Sequence, residues 1–323
     1  MTKTLKLPNQ KTPVTIITGF LGSGKTTLLN NILTNRNNLK IAVLVNEFGE
    51  INIDSQLLVS IDEDMMLLSN GCICCTINAS LIDAINKVLN QNNIDYIVIE
   101  TTGLAEPVPL IMTFASSNLR DITRLDSILT LVDAENFSLR NFDNQIALEQ
   151  VIYSDIIILN KIDLVSEAKL EEIEEYISSI KVDAKIIRSE YGQVLLPLIL
   201  DIATFNSKTL SYSSLQHHVN LSSINRLQED SFMSVSFVSD KPLSVEKFNK
   251  FLDEQLPKTV FRGKGIIWYQ GSKLRHIFQL SGKRCNFQRD EWTVNPSNQL
   301  VFIGQNLDAE KIQSQLEKCL VSI

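Results

Sequence analysis

The chain has 323 residues, is 44% hydrophobic and 21% charged, and carries a formal net charge of −7. These are the proportions of an ordinary globular protein long enough for two domains. No apolar run approaches the ~20 residues that a membrane-spanning helix needs. The charge is uneven, with 13 Lys+Arg against 9 Asp+Glu in residues 231–323 and 17 against 28 in the rest; neither part carries the basic footprint of a nucleic-acid binder.

Residues Met1 to Thr12 are polar and basic without an apolar segment, so no secretory signal is expected and a cytoplasmic location is. Short apolar, β-rich runs follow at Val14–Ile17, Ile41–Val45, Tyr96–Ile99, Ile128–Val132, Ile156–Leu159 and Lys185–Ile187. Helical patterns lie between them at Lys25–Leu33, Ala79–Leu89, Leu110–Ala115 and Glu167–Ile180, the last with Ser166 as its expected N-cap. Strands apolar on both faces and separated by helices predict an α/β fold with a parallel sheet covered on both sides, over residues 1–203. Residues 204–230, rich in Ser, Asn, Gln and His, read as a linker. A small α+β domain is expected over 231–323. Its predicted strands are Met233–Val238, Ile266–Tyr269, Leu274–Leu280 and Leu300–Ile303, its helices Ser244–Leu252 and Asp308–Leu320, and Trp268 and Trp292 are expected in its core.

The first strand runs into Gly19-Phe-Leu-Gly-Ser-Gly-Lys25-Thr26, the pattern G-x-x-x-x-G-K-[ST] of a phosphate-binding loop. Gly19, Gly22, Ser23 and Gly24 let successive backbone N–H groups turn onto phosphates. Lys25 would reach the β- and γ-phosphates, the Thr26 hydroxyl would hold Mg²⁺, and Thr27 extends the loop into the helix. Glu100-Thr-Thr-Gly103 ends another strand, where such a protein needs a carboxylate near Mg²⁺ and a glycine N–H that senses the γ-phosphate. Asn46-Glu47-Phe-Gly-Glu50 ends the second strand in the position of a switch loop, with carboxylates available for water, Mg²⁺ or a second metal. Lys25, Glu47 and Glu100 form the expected catalytic set. Asn160-Lys161-Ile-Asp163 matches the base-recognition motif N-K-x-D; a carboxylate there accepts two hydrogen bonds from guanine that adenine does not offer. Ser189 to Gly192 is a second candidate for base contact, and Asp133 reads as a turn or cap residue more than a catalytic one.

Three of the five cysteines, Cys72, Cys74 and Cys75, fall within four residues. That spacing is poor for disulfides and suits a soft metal held by thiolates, zinc above all, with Co²⁺ and Ni²⁺ open. Three thiolates leave a fourth position to water, Glu50 or a client group, which suits transfer better than permanent structure.

Taken together, Thr18–Thr27, Asn46–Glu50, Asn70-Gly-Cys-Ile-Cys-Cys75, Glu100–Pro107 and Asn160–Asp163 resemble the CobW-like family of metallochaperone P-loop GTPases, and the tail, with Arg262-Gly-Lys-Gly265, Gln279–Gly282 and Leu300–Gly304, is similar to that family's C-terminal domain. The resemblance implies a GTPase using GTP and Mg²⁺, which binds Zn²⁺ at the Cys-x-Cys-Cys motif and delivers it to a client metalloprotein. It implies no nucleic-acid or membrane partner and leaves self-association open. Two departures stand out. Members often carry a His-rich stretch between the domains, whereas this chain has only His217 and His218 there and His276 beyond. The segment after the cysteines reads Thr76-Ile-Asn-Ala-Ser80 in place of the family's Thr-x-Arg-Gly-Asp. The alternatives are cobalt or iron insertion, a non-catalytic nucleotide-binding metal sensor, and a P-loop kinase, which has no use for N-K-x-D or clustered thiols.

Overall fold

The structure is a computed structural model that describes residues 11–36, 39–45, 65–69, 77–91, 94–116, 118–137, 145–201 and 232–321. The chain divides into two compact units, Met1–Val194 and Leu195–Ile323.

The first unit is built on a seven-stranded sheet in the order β3-β2-β4-β1-β5-β6-β7. Its strands are β1 (Thr12–Gly19), β2 (Ile41–Val45), β3 (Met65–Ser69), β4 (Tyr96–Glu100), β5 (Thr123–Asp133), β6 (Ile156–Asn160) and β7 (Ile186–Ser189). All neighbours pair in parallel. The helices are α1 (Lys25–Thr34), α2 (Ile77–Gln91), α3 (Pro107–Ser116), α4 (Leu119–Ile122), α5 (Gln145–Ile152) and α6 (Glu167–Ile180).

The apolar strand runs are buried on both faces because helices cover both. Val14, Ile16, Ile97 and Ile99 pack with Leu81, Ile85 and Val88 of α2 and with Leu110 and Phe114 of α3. On the same side, Val132, Ile157 and Leu159 meet Val151 of α5 and Leu170, Ile173 and Ile177 of α6. Ile17 and Val98 point the other way and are also buried, as are Leu28, Leu29 and Ile32 of α1.

The elements depart from the sequence expectation in a few places. Strand β3 has Met-Met-Leu-Leu-Ser in place of the expected β-branched residues and forms an edge strand beside β2. Helix α5 has only eight residues, too few for a strong periodic signal. Helix α3 starts three residues before the expected Leu110, at Pro107, a residue suited to the first helical position. Ser166 takes the N-cap position of α6 with an extended backbone but makes no side-chain cap bond; its carbonyl accepts from Leu170 N at 3.1 Å.

The second unit carries a five-stranded antiparallel sheet in the order β11-β10-β9-β12-β8. Its strands are β8 (Phe232–Ser239), β9 (Val260–Ile267), β10 (Arg275–Ser281), β11 (Arg284–Asp290) and β12 (Asn298–Gln305). Helix α7 (Leu196–Ile199) precedes them, α8 (Val245–Lys250) runs on through a π-helical turn at Phe251–Gln255, and α9 (Ala309–Lys318) closes the unit. Phe248, Phe251, Phe278 and Phe302 are fully buried at its centre. Ser244 and Asp308 cap their helices by accepting from Lys247 N and Lys311 N.

Strand β9 begins six residues before the expected Ile266, and β11 is a polar edge strand that no apolar run announced. Trp268 and Trp292 are half-buried and stand outside the aromatic cluster, a correction to their expected core placement. Asp201 accepts from Lys264 Nζ at 3.1 Å and from Gln279 Nε2 at 2.7 Å. Leu195–Asp201 thus packs with the second unit, although the sequence pattern runs the first domain on to residue 203.

Candidate active site

A parallel sheet gathers the carboxyl ends of its strands on one edge, which is where open α/β folds bind ligands. Here that edge carries the phosphate loop after β1, Glu100 at the end of β4, Asp133 at the end of β5, Asn160 at the end of β6 and Ser189 at the end of β7.

The phosphate loop runs from Gly19 to the first residue of α1, Lys25. Gly24 is one of the residues that this turn constrains. Its φ is 99°, and a Cβ there would lie 2.4 Å from Asn160 Nδ2, so only glycine fits both the left-handed backbone and the neighbour. Lys25 is buried, and its ammonium donates to the carbonyls of Gly19 at 2.9 Å and Phe20 at 3.1 Å. The charge is therefore already curled over the loop in which phosphates sit. Ser23 Oγ and Thr18 Oγ1 are buried here without a hydrogen-bond partner, polar capacity that a phosphate would use. Gly22 and Thr27 are exposed on the loop and on the first turn of α1.

Thr26 Oγ1 donates to Glu100 Oε1 at 2.9 Å, and Glu100 is 2% exposed. A hydroxyl and a buried carboxylate side by side at the start of α1 are hard oxygen donors of the kind that Mg²⁺ takes together with phosphate oxygens. The donor set fits that ion, which would neutralise the β- and γ-phosphate charge. Beyond Glu100 the chain turns sharply. Thr101 N donates to Ile17 O at 2.9 Å, and Gly103 lies so close to the phosphate loop that a Cβ on it would be 2.6 Å from Leu21 N. The expected γ-phosphate sensor thus lies against the phosphate loop itself.

The N-K-x-D residues divide their work. The Asn160 side chain donates to Ser23 O at 2.9 Å and accepts from Gly192 N at 2.9 Å. It therefore ties the phosphate loop to the loop after β7. Lys161 has φ 63° and sends its ammonium to Asp133 Oδ2 at 2.6 Å. Asp163, in a 3₁₀ turn at Ile162–Leu164, is exposed and is the carboxylate left for a base. In the Ser189–Gly192 loop, Tyr191 is 66% exposed and its carbonyl accepts from Asn31 Nδ2 of α1 at 2.9 Å.

Asp133 caps the turn after β5, accepting from the backbone N–H groups of Glu135 at 3.0 Å and Asn136 at 3.2 Å. Burial pushes its carboxyl up, and the bonds from Asn136 and Lys161 outweigh that and hold it below the ordinary carboxylate value. This supports the turn-cap reading of Asp133.

Glu47, Glu50, Cys72, Cys74 and Cys75 lie outside the described residues. Among the described residues there is no group of three or more His, Cys, Asp or Glu side chains that could hold a metal ion. Sequence reasoning missed one residue of this site, Gln150 on α5. Its signal was faint: a lone polar residue on the buried side of a short helix.

A phosphate loop, a paired hydroxyl and carboxylate for Mg²⁺, and N-K-x-D at the end of β6 of a parallel sheet define a P-loop GTPase. Residues 13–188 match the model of the CobW/HypB/UreG nucleotide-binding domain, and residues 232–320 match that of the cobalamin synthesis protein CobW C-terminal domain. The chain belongs to the CobW/HypB/UreG family. It is 30% identical to zinc-regulated GTPase metalloprotein activator 1 of Dictyostelium discoideum, over 97% of this chain and 80% of the relative. It is 34% identical to zinc chaperone YjiA of Escherichia coli K12, over 93% of this chain and 96% of the relative. Among solved structures it is similar to the Zn(II)-bound YjiA GTPase from E. coli, with 28% identity, coverage of 97% and 100%, and a TM-score of 0.45. No helix among the described residues is long and apolar enough to cross a membrane.

Proposed function

We propose that this protein is a GTP-dependent zinc chaperone that takes zinc as cargo on Cys72, Cys74 and Cys75, with Glu50 or water in the fourth position, and passes it to a client metalloprotein. One observation carries this reading. In the sheet, Val45 at the end of β2 pairs with Ser69 at the end of β3 on one side and with Glu100 at the end of β4 on the other. Neighbouring strands are about 4.8 Å apart, so the chain enters the cysteine segment roughly 10 Å from the carboxylate beside Thr26. Asn46–Glu50 leaves from between those two points. The names of the relatives, zinc chaperone and zinc-regulated GTPase metalloprotein activator, support zinc as the cargo.

The mechanism follows from that proximity. Thr26 and Glu100 would hold the Mg²⁺ that neutralises phosphate charge, and GTP on the phosphate loop would order Asn46–Glu50 and the Glu100–Gly103 loop. The cysteine segment follows β3, and the same ordering would bring its three thiolates into a zinc-binding arrangement. Hydrolysis removes the γ-phosphate, the loops relax and the zinc site weakens. Linkage makes the coupling reciprocal: whatever factor GTP adds to zinc affinity, zinc adds to GTP affinity. The test is zinc titration of the reduced protein with a GTP analogue, with GDP and without nucleotide, repeated on the Cys72/Cys74/Cys75→Ser triple variant. Tighter zinc binding with the analogue, lost in the triple variant, is expected; equal zinc affinity in all three nucleotide states would sink the coupling. GTP turnover abolished by Lys25→Ala separates this reading from that of a passive nucleotide-binding sensor.

A further inference from the structure

Gln150 is 1% exposed and sits on α5, outside the nucleotide motifs. Burying a primary amide costs free energy unless its hydrogen bonds are made. Gln150 sends both of its donor bonds to one loop. Its Nε2 donates to the carbonyls of Gly103 at 3.3 Å and Ala105 at 3.2 Å. The backbone of Gln150 is itself held, its carbonyl accepting from Thr130 Oγ1 of β5 at 2.7 Å. One end of the side chain thus rests on the sheet through α5, and the other clamps the loop that follows Glu100.

The clamp stands beside a cavity. A cavity of about 180 Å³ lies where α5, the phosphate loop and the end of β5 meet, lined by Phe20, Leu21, Ala147, Gln150 and Val151 among others. Across a gap, side chains lose their dispersion contacts, so packing transmits little displacement there. Gln150 reaches the phosphate loop by another route, through the Gly103 carbonyl that it holds and the close approach of Gly103 to Leu21.

We propose that Gln150 is a positioning residue for GTP hydrolysis: by holding the carbonyls of Gly103 and Ala105, it sets the Gly103 N–H at the γ-phosphate position and carries the nucleotide state to α5. This rests on the reading of the site as a GTP-hydrolysing one. The tests are steady-state hydrolysis and GDP binding by Gln150→Met, which keeps the length and loses the donor. The wild-type protein is also measured by NMR, comparing the Gln150 side-chain amide with GDP and with a non-hydrolysable GTP analogue. Misplacing a group that acts on the transition state costs rate and spares ground-state binding. We expect kcat to fall roughly ten- to a hundredfold with GDP affinity unchanged, and the Gln150 amide resonances to differ between the two nucleotides. An unchanged kcat, or kcat and GDP affinity falling together as a merely structural residue would give, overturns the proposal. If Gln150→Met does not fold, identical Gln150 amide resonances in the two states overturn it. Wild-type turnover that survives Lys25→Ala would instead count against the GTPase reading itself.

Discussion

Thr26 and Glu100 lie 74 residues apart in the chain and 2.9 Å apart in space, the hydroxyl donating to the carboxylate. The contact joins the first turn of α1 to the end of β4, and it sets two oxygen donors side by side next to the phosphate loop. The Glu100→Gln variant keeps the shape and the acceptor oxygen and removes the charge. Thermal stability should hold or rise slightly, because a buried carboxylate is costly to desolvate. GTP hydrolysis should fall by about a hundredfold or more, and the Mg²⁺ concentration for half-maximal rate should rise. Mg²⁺ titration of turnover checks both.

Asn160 and Asp163 share one motif and should respond differently. The Asn160→Ala variant leaves the carbonyl of Ser23 and the N–H of Gly192 without their partner. Each buried orphan costs about 1–3 kcal/mol, so urea denaturation should show a loss of roughly 2–6 kcal/mol along with weaker GDP binding. Asp163 is exposed, and Asp163→Ala should weaken GDP binding with stability within about 0.5 kcal/mol of wild type. Equal losses of stability in the two variants would contradict the division of roles.

Lys161 and Asp133 pair at 2.6 Å, with Asp133 9% exposed. The folded-state pKa of Asp133 is lowered from 3.8. A depressed carboxylate contributes stability that is fully present above its unfolded pKa and is lost as pH falls through its folded pKa. The window therefore lies below about pH 4. At pH 7 the Asp133→Asn variant should be less stable by about 1–3 kcal/mol, and the gap should close on acidification through that window. Denaturation curves for both proteins from pH 7 to pH 2.5 measure it.

In the second unit, Phe248 is fully buried, with ring centroids 5.7 Å from Phe278 and 6.0 Å from Phe251. Truncation to alanine removes the ring from the centre of a small core and should cost about 3–5 kcal/mol. Hydrogen exchange should show the loss in the amides of β9, β10 and β12. Protection there equal to wild type would mean that the core had collapsed around the gap.

The sequence alone was enough for the class of fold and for the motifs on which the candidate nucleotide site is built. Strands such as Ile156–Leu159 are apolar at every position, which only a sheet covered on both faces tolerates. The phosphate loop, Glu100 and N-K-x-D are local strings whose chemistry is carried by neighbouring residues, so they are legible in one dimension. The tertiary structure decided what depends on distance across strands. It turned Asn160 into a tie between two loops and gave the turn residue Asp133 its ion pair with Lys161. It moved the tryptophans out of the aromatic core and gave Leu195–Asp201 to the second unit. It also revealed Gln150, whose partners are backbone carbonyls 45 and 47 residues away. A backbone carbonyl carries no side-chain identity, so no motif could have announced that contact; only the fold, which sets α5 against the loop that follows β4, brings the two together.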